Sequence, residues 1–247
     1  MEKMVINADD FGLSESVNEA IRYAFEHRHI NRTTLMVTHP YAGEAMQIAR
    51  ENGFIEQVGL HLNLDTGHPL TKDILKYNLY SKSGKDRTSF WYDKRINRII
   101  IVNPMIKEAI REEVEAQMKR YLELGGTNMH IDSHHHRHLI PSVLPIIIKS
   151  AKEYGFKTMR IAWNYHQGMS RQNLFVKKII NAYVKRSFST TDIFCCYDDY
   201  LINPIKGVKT VEIMVHPDVI GGKYVDVIDR EKGILNDLNS YILLSNL

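Results

Sequence analysis

The stretch Met4-Val5-Ile6-Asn7-Ala8-Asp9-Asp10-Phe11-Gly12 decides how the rest of this chain is read. Residues 4–8 have the apolar character of a buried strand. Residues 14–26 place Val17, Ala20, Ile21, Ala24 and Phe25 on one helical face, and Ser16 and Glu19 have the spacing of a capping box at its start. Strand, short turn and helix open an α/β fold, and the residues in the turn then separate its variants. A dinucleotide-binding sheet needs a glycine-rich turn for close approach of the backbone to phosphate. This turn instead holds two carboxylates and one glycine, which argues against nucleotide and puts acids at the carboxyl end of the first strand. Ligands of parallel α/β folds bind at that end.

Working outward, strand patterns at 33–38, 57–64, 129–132, 158–162 and 208–215 alternate with helical ones. The helical patterns are 42–52, 106–122, 141–154, 175–188 and a closing helix at 229–244; Gly125-Gly126 stops the longest. This alternation predicts parallel strands with crossover helices, in a (β/α) barrel or an open doubly wound sheet. The 247 residues suit a single barrel domain over 1–247. Residues 70–103 fit neither pattern. They are basic, hold Tyr77, Tyr80, Phe90, Trp91 and Tyr92, and read as an inserted binding loop or lid, with an aromatic cluster that packs the insertion onto the barrel as the competing reading.

Composition narrows the class. Hydrophobic residues at 44% and charged residues at 25% describe an ordinary globular chain, and a net charge of +3 gives no reason to expect nucleic acid. No stretch approaches a membrane span and the first residues lack a signal-peptide pattern, so no membrane partner and a cytoplasmic location are expected. Cys195 and Cys196 are neighbours and supply neither a disulfide framework nor zinc-site spacing.

Chemistry collects at the strand ends. Five of twelve histidines lie between His130 and His138, and His61 and His216 follow two other strands. Alone, each has a plain explanation: Asp9-Asp10 favours a helix N-terminus, His216 can be a packed core histidine, and the His130–His138 run can be a polar turn. Together they predict one catalytic centre, since aspartate plus two imidazoles is a common divalent-cation set.

Asn7-Ala8-Asp9-Asp10-Phe11-Gly12-Leu13-Ser14 closely resembles the opening of YdjC-like carbohydrate deacetylases, which include chito-oligosaccharide deacetylases. Val58-Gly59-Leu60-His61-Leu62-Asn63-Leu64, Gly67-His68-Pro69-Leu70, His130-Ile131-Asp132-Ser133-His134-His135-His136 and His216-Pro217-Asp218 resemble its later motifs in the same order. The resemblance implies a distorted, TIM-like (β/α) barrel of the polysaccharide deacetylase type that hydrolyses N-acetyl groups of amino sugars with a divalent metal. It implies Asp10, His61 and His134 as metal ligands, Asp9 as general base and His216 as general acid. Family practice points to Mg2+, whereas imidazole donors suit Zn2+ or another transition metal. Asp132 and Arg160 are candidates to orient these groups, Asp132 as the carboxylate partner of a metal-bound histidine and Arg160 equally as a structural ion pair. His68 stands where lysine is expected and Arg137 where a smaller apolar residue is, which bears on the substrate. His68 and Trp91 are candidate sugar contacts. The expected partner is a small acetylated sugar or oligosaccharide, with a homodimer as a further expectation. A metal-dependent phosphoesterase and a non-catalytic sugar-binding module are the competing readings.

Overall fold

The computed structural model describes residues 4–80, 103–165, 168–202, 210–229 and 234–240. The aromatic cluster at 90–92, with Trp91, lies outside them.

Seven parallel strands form one curled half-barrel sheet in an α/β fold. They are β1 (Met4–Phe11), β2 (Arg32–Leu35), β3 (Val58–Leu62), β4 (His130–Ser133), β5 (Thr158–Met159), β6 (Ile193–Cys196) and β7 (Val211–Val215), in the order β5-β4-β3-β2-β1-β7-β6. β1 is an interior strand, with Met4 opposite Val211 on one side and Asn7 opposite Arg32 on the other. The two ends of the sheet approach each other through a parallel bridge between Thr158 and Ser189, and Asn164 N–H donates to Phe194 O at 3.2 Å. Around it lie α1 (Glu15–Glu26), α2 (Ala42–Glu51), α3 (Pro104–Glu123), α4 (Leu144–Glu153), α5 (Arg171–Lys185) and α6 (Tyr197–Ile202). Strand residues on both faces are buried, as parallel sheets require: all five residues of β3 and of β7 are inaccessible.

The helix starts follow from side chains able to cap them. Ser14 Oγ accepts from Val17 N–H at 3.2 Å and is the N-cap of α1, so the cap lies two residues before the Ser16 that the capping-box spacing singles out. Asn103 caps α3 and Pro104 occupies its first turn, where a missing N–H costs nothing.

α3 ends where expected, and its stop serves packing as well as backbone conformation. A Cβ on Gly126 would lie 2.2 Å from the buried Tyr121 ring, whose hydroxyl donates to Val58 O at 2.7 Å. Gly126→Ala is therefore expected to cost about 1–3 kcal/mol, since the ring has nowhere to go; an unchanged denaturation midpoint would count against this packing.

Two expectations are corrected. Among the described residues of 229–244, none belongs to the expected closing helix. A hairpin of β8 (Pro217–Ile220) and β9 (Lys223–Asp229) is joined by β10 (Ile234–Asp237) in an antiparallel three-stranded sheet, followed by a 3-10 turn at Leu238–Ser240. Gly221 and Gly222, both with positive φ, make the tight turn of the hairpin. This small sheet packs on α1, where the Tyr224 and Tyr23 rings stack at 3.7 Å and Tyr224 Oη donates to Glu19 at 3.0 Å. β6 is also a strand that the reading of 175–215 did not separate out.

Candidate active site

The carboxyl ends of β1, β3 and β4 bring Asp10, His61 and His134 together. Asp10 Oδ1 lies 2.8 Å from His134 Nδ1 and 3.2 Å from His61 Nε2. Phe11, between Asp10 and the tight Gly12, is fully buried. Asp10 has φ of +69°, which aspartate tolerates better than most residues, at the irregularity in pairing between Ala8 and Phe11. His135 and His136 are also left-handed, at φ +50° and +55°, so the histidine run is a kinked turn and not a regular helix. Strained backbone of this kind gathers at functional sites.

His61 is oriented from behind. Its Nδ1–H donates to Asp132 Oδ1 at 2.7 Å, and Thr34 Oγ1 sits 3.1 Å from both groups, donating to Asp132 Oδ2. This leaves Nε2 buried with only Asp10 Oδ1 facing it, at 3.2 Å and too poorly aligned for a regular hydrogen bond. A buried imidazole with one nitrogen fixed by a carboxylate and the other left open is the form a cation-binding histidine takes. The candidate ligand atoms of Asp10, His61 and His134 all lie within 4.8 Å of one another, so the residues present fit a single divalent cation. Burial raises the Asp10 pKa, but His134 and His61 overcome it and hold the carboxyl well below its usual range. Burial likewise opposes charge on His61, yet Asp132 and Asp10 raise its pKa to about 10.

Asp9 belongs to a buried ionic cluster. Arg160 reaches Asp9 with both terminal nitrogens, Nη1 to Oδ2 at 2.6 Å and Nη2 to Oδ1 at 2.7 Å. The same guanidinium meets Asp132 Oδ2 at 2.8 Å and Glu212 Oε1 at 2.6 Å. Asn7 Nδ2 donates to Asp9 at 2.7 Å, and Arg32 adds contacts to Asn7 and Glu212, each at 2.7 Å. One oxygen each of Asp9 and Asp132 lies within 4.8 Å of a His61 nitrogen, so the cluster borders the cation set. Burial disfavours charge on Arg160, but Asp132, Asp9 and Glu212 together raise its pKa further.

His216 follows β7. Its amide donates to Asp226 Oδ1 at 2.6 Å, anchoring it to the hairpin, and it lies near His136, whose ring stands edge-on to Phe194 at 5.5 Å. His68 is exposed and near enough to His39 to influence it electrostatically; burial and His134 lower the His39 pKa, and Asp10 opposes them. Arg137 does not point to open solvent: its Nε donates to buried Asp65 at 2.6 Å, which also holds His135 Nδ1 at 2.9 Å. Sequence reasoning missed Glu212, Arg32, Thr34, Asp65 and His39. Glu212 carried a legible signal, a lone acid inside the apolar run Val211-Glu212-Ile213-Met214-Val215.

The buried histidines set the acid limit of the fold. Burial lowers His130 to about 3 and His138 to about 4, with Ser133 Oγ and Arg160 O holding the two ring nitrogens of His138. A pKa depressed on folding means that the unfolded chain binds the proton first. Stability is thus full above about 6.5 and is lost as pH falls toward 3–4. Asp132 and Glu212, held low despite their burial by Arg160 with His61 and by Arg32 with Arg160 respectively, add a loss of the same sign at lower pH. The contribution of His61 runs the other way: it is full below about 6.5 and is lost as pH rises toward about 10. The melting temperature of the cation-free protein is therefore expected to be highest near pH 6.5–7 and to fall steeply below about pH 6; a midpoint unchanged down to pH 4.5 would refute this.

A sequence model of the YdjC-like protein family matches residues 3–233. The chain belongs to this family. A carbohydrate deacetylase from Vibrio parahaemolyticus is 30% identical over 216 residues, covering 87% of this chain and 78% of its own. One from Vibrio cholerae serotype O1 is 33% identical over 226 residues with the same coverage. Among solved structures, a protein provisionally described as a cellobiose-phosphate cleavage protein, from Enterococcus faecalis V583, superposes with a TM-score of 0.66 at 25% identity. The match covers 89% of this YdjC-like chain and 82% of the other.

Proposed function

We propose that this protein is a metal-dependent carbohydrate deacetylase, hydrolysing the N-acetyl group of a small acetylated amino sugar or oligosaccharide. The observation that carries this reading is the open, buried Nε2 of His61 beside Asp10 and His134, one residue from a second aspartate clasped by Arg160. The relatives named carbohydrate deacetylase supply the substrate class.

Asp10, His61 and His134 would hold the cation, which when bound supplies Lewis-acid polarisation of the acetamide carbonyl and a more acidic bound water. Magnesium is the first candidate and zinc the alternative, two imidazoles being a donor set that suits zinc better. Asp9 accepts the proton of the attacking water, and its bidentate contact with Arg160 holds the carboxylate in place. Asp132 keeps His61 in the tautomer that leaves Nε2 open. His216 delivers a proton to the departing nitrogen, so that acetate and a free amine leave. His68 borders the sugar. Trp91 remains a proposed sugar contact on the inserted segment. A two-metal phosphoesterase is not favoured, because Asp9 and Asp132, two of the carboxylates that could bridge a second cation, are both engaged by Arg160.

The test is acetate release from a panel of N-acetylated mono- and disaccharides. Chelation is expected to abolish turnover, and Mg2+ or Zn2+ to restore it. Turnover that survives exhaustive chelation, with no metal left by elemental analysis, would sink the cation's role.

A further inference from the structure

Helix α5 is scarcely packed. Of its fifteen residues only Asn181 and Val184 are buried. Asn181 ties it down, accepting from Ala162 N–H at 2.7 Å and donating to Ala162 O at 3.2 Å. Residues 171–176 are all exposed, and the accessible side chains include Phe175 at 64%, Ile179 at 56% and Val176 at 52%, with Leu174 and Tyr183 near 40%. Most helices in proteins owe their stability to an apolar face packed inward. Here the larger apolar face points outward. At 3.6 residues per turn, Phe175, Val176, Ile179 and Tyr183 form one stripe, with Arg171, Lys178 and Lys185 along its flank.

Charge indicates what covers this stripe. Residues 168–188 hold five cations, Arg171, Lys177, Lys178, Lys185 and Arg186, and no acid, against a net charge of +3 for the whole chain. Lys185 is shared with Asp192 at 3.7 Å. A second copy docking through the same stripe would set like charges against each other, so the complementary surface is anionic. Its shape follows from the arc. Phe175, Val176, Ile179 and Tyr183 span about 100° of the circumference, and Arg171, Lys178 and Lys185 lie together along one edge of that arc. An exposed apolar stripe edged by long cationic side chains, which can reach phosphate while the stripe is buried, is the form of a helix that lies in a lipid surface.

We propose that α5 is a peripheral docking helix for an anionic phospholipid surface, its apolar stripe at the acyl boundary and its cations at headgroup phosphate. The expectation of no membrane partner rested on the lack of a spanning segment, and a surface helix is a different device.

The test is co-sedimentation of the full-length protein with phosphatidylglycerol/phosphatidylcholine vesicles and with pure phosphatidylcholine vesicles. Binding to the anionic vesicles is expected to be at least about tenfold stronger and to weaken as salt is raised. Phe175→Ser with Ile179→Ser should lower it about tenfold, and Arg171→Glu with Lys178→Glu should remove the preference for phosphatidylglycerol. Both pairs should keep the melting temperature and acetate release. Failure of the wild-type chain to sediment with anionic vesicles would overturn the proposal, as would binding indifferent to both pairs. So would a concentration-dependent dimer abolished by the serine pair, or retention on an acidic polypeptide without vesicle binding.

Discussion

Asp9→Asn is expected to lower kcat by about 10²–10⁴-fold, the loss typical of a missing general base, while cation uptake and fold persist. The two aspartates have different partners, so the proposed roles can be measured apart. Asp9 faces Arg160, and Asp10 faces His61 and His134. Asparagine keeps the size of Asp9 and one acceptor for Arg160, and leaves Asp132 and Glu212 to balance that cation. The experiment pairs steady-state acetate release at saturating metal with metal content by elemental analysis. Asp10→Ala is the contrasting variant, losing metal as well as turnover. Near-normal kcat in Asp9→Asn at full occupancy would remove Asp9 from the base role.

Arg160→Met is expected to be the most destabilising single change at the site. It leaves Asp9, Asp132 and Glu212 buried with their shared cation gone, although Arg32 still reaches Glu212. Breaking a buried ion pair from one side costs about 3–5 kcal/mol, because the orphaned charges cannot be rehydrated in place. At about 2–4 °C per kcal/mol for a chain of this size, the melting temperature should drop by about 10 °C. Arg160→Lys recovers only part of this, since an ammonium cannot serve two oxygens of Asp9 and two further carboxylates in one plane. A midpoint within about 2 °C of the parent in Arg160→Met would show the cluster to be energetically neutral.

Much of the barrel-forming part of the chain was legible, because each strand there is a short apolar run followed by a helix with a clear face. β1, α1, β3, α3 and β4 fall where the pattern places them. The end of the chain was not. Ile234, Leu235 and Leu238 have spacing compatible with a helix, but the backbone of Ile234 and Leu235 pairs with β9, a partner that no local pattern reveals. The Gly221-Gly222 turn between alternating residues was a readable hairpin signal that the sequence reading left unassigned. At the site, the residues carrying unusual chemistry were readable from type and position. The groups that hold them were not, since Thr34 and Asn7 are ordinary strand residues until Asp132 and Asp9 are placed beside them. Arg160 could be named from the sequence, but its three carboxylate partners come from β1, β4 and β7 and emerge only from the folded sheet.

The interior place of β1 has a consequence for how the molecule comes into being. Its neighbour β7 lies more than two hundred residues later in the chain, with Met4 opposite Val211. During synthesis the first strand leaves the ribosome with one partner, β2, close behind and the other still untranslated. Until Val211–Val215 emerges, β1 presents an unpaired edge, and Arg160 waits for Glu212. The sheet cannot be completed from its amino terminus forward. Folding by so distant a pairing is slow, and a nascent chain halted before β7 would hold both aspartates of the first strand yet lack the imidazole of His216 and the strand that seats the catalytic edge.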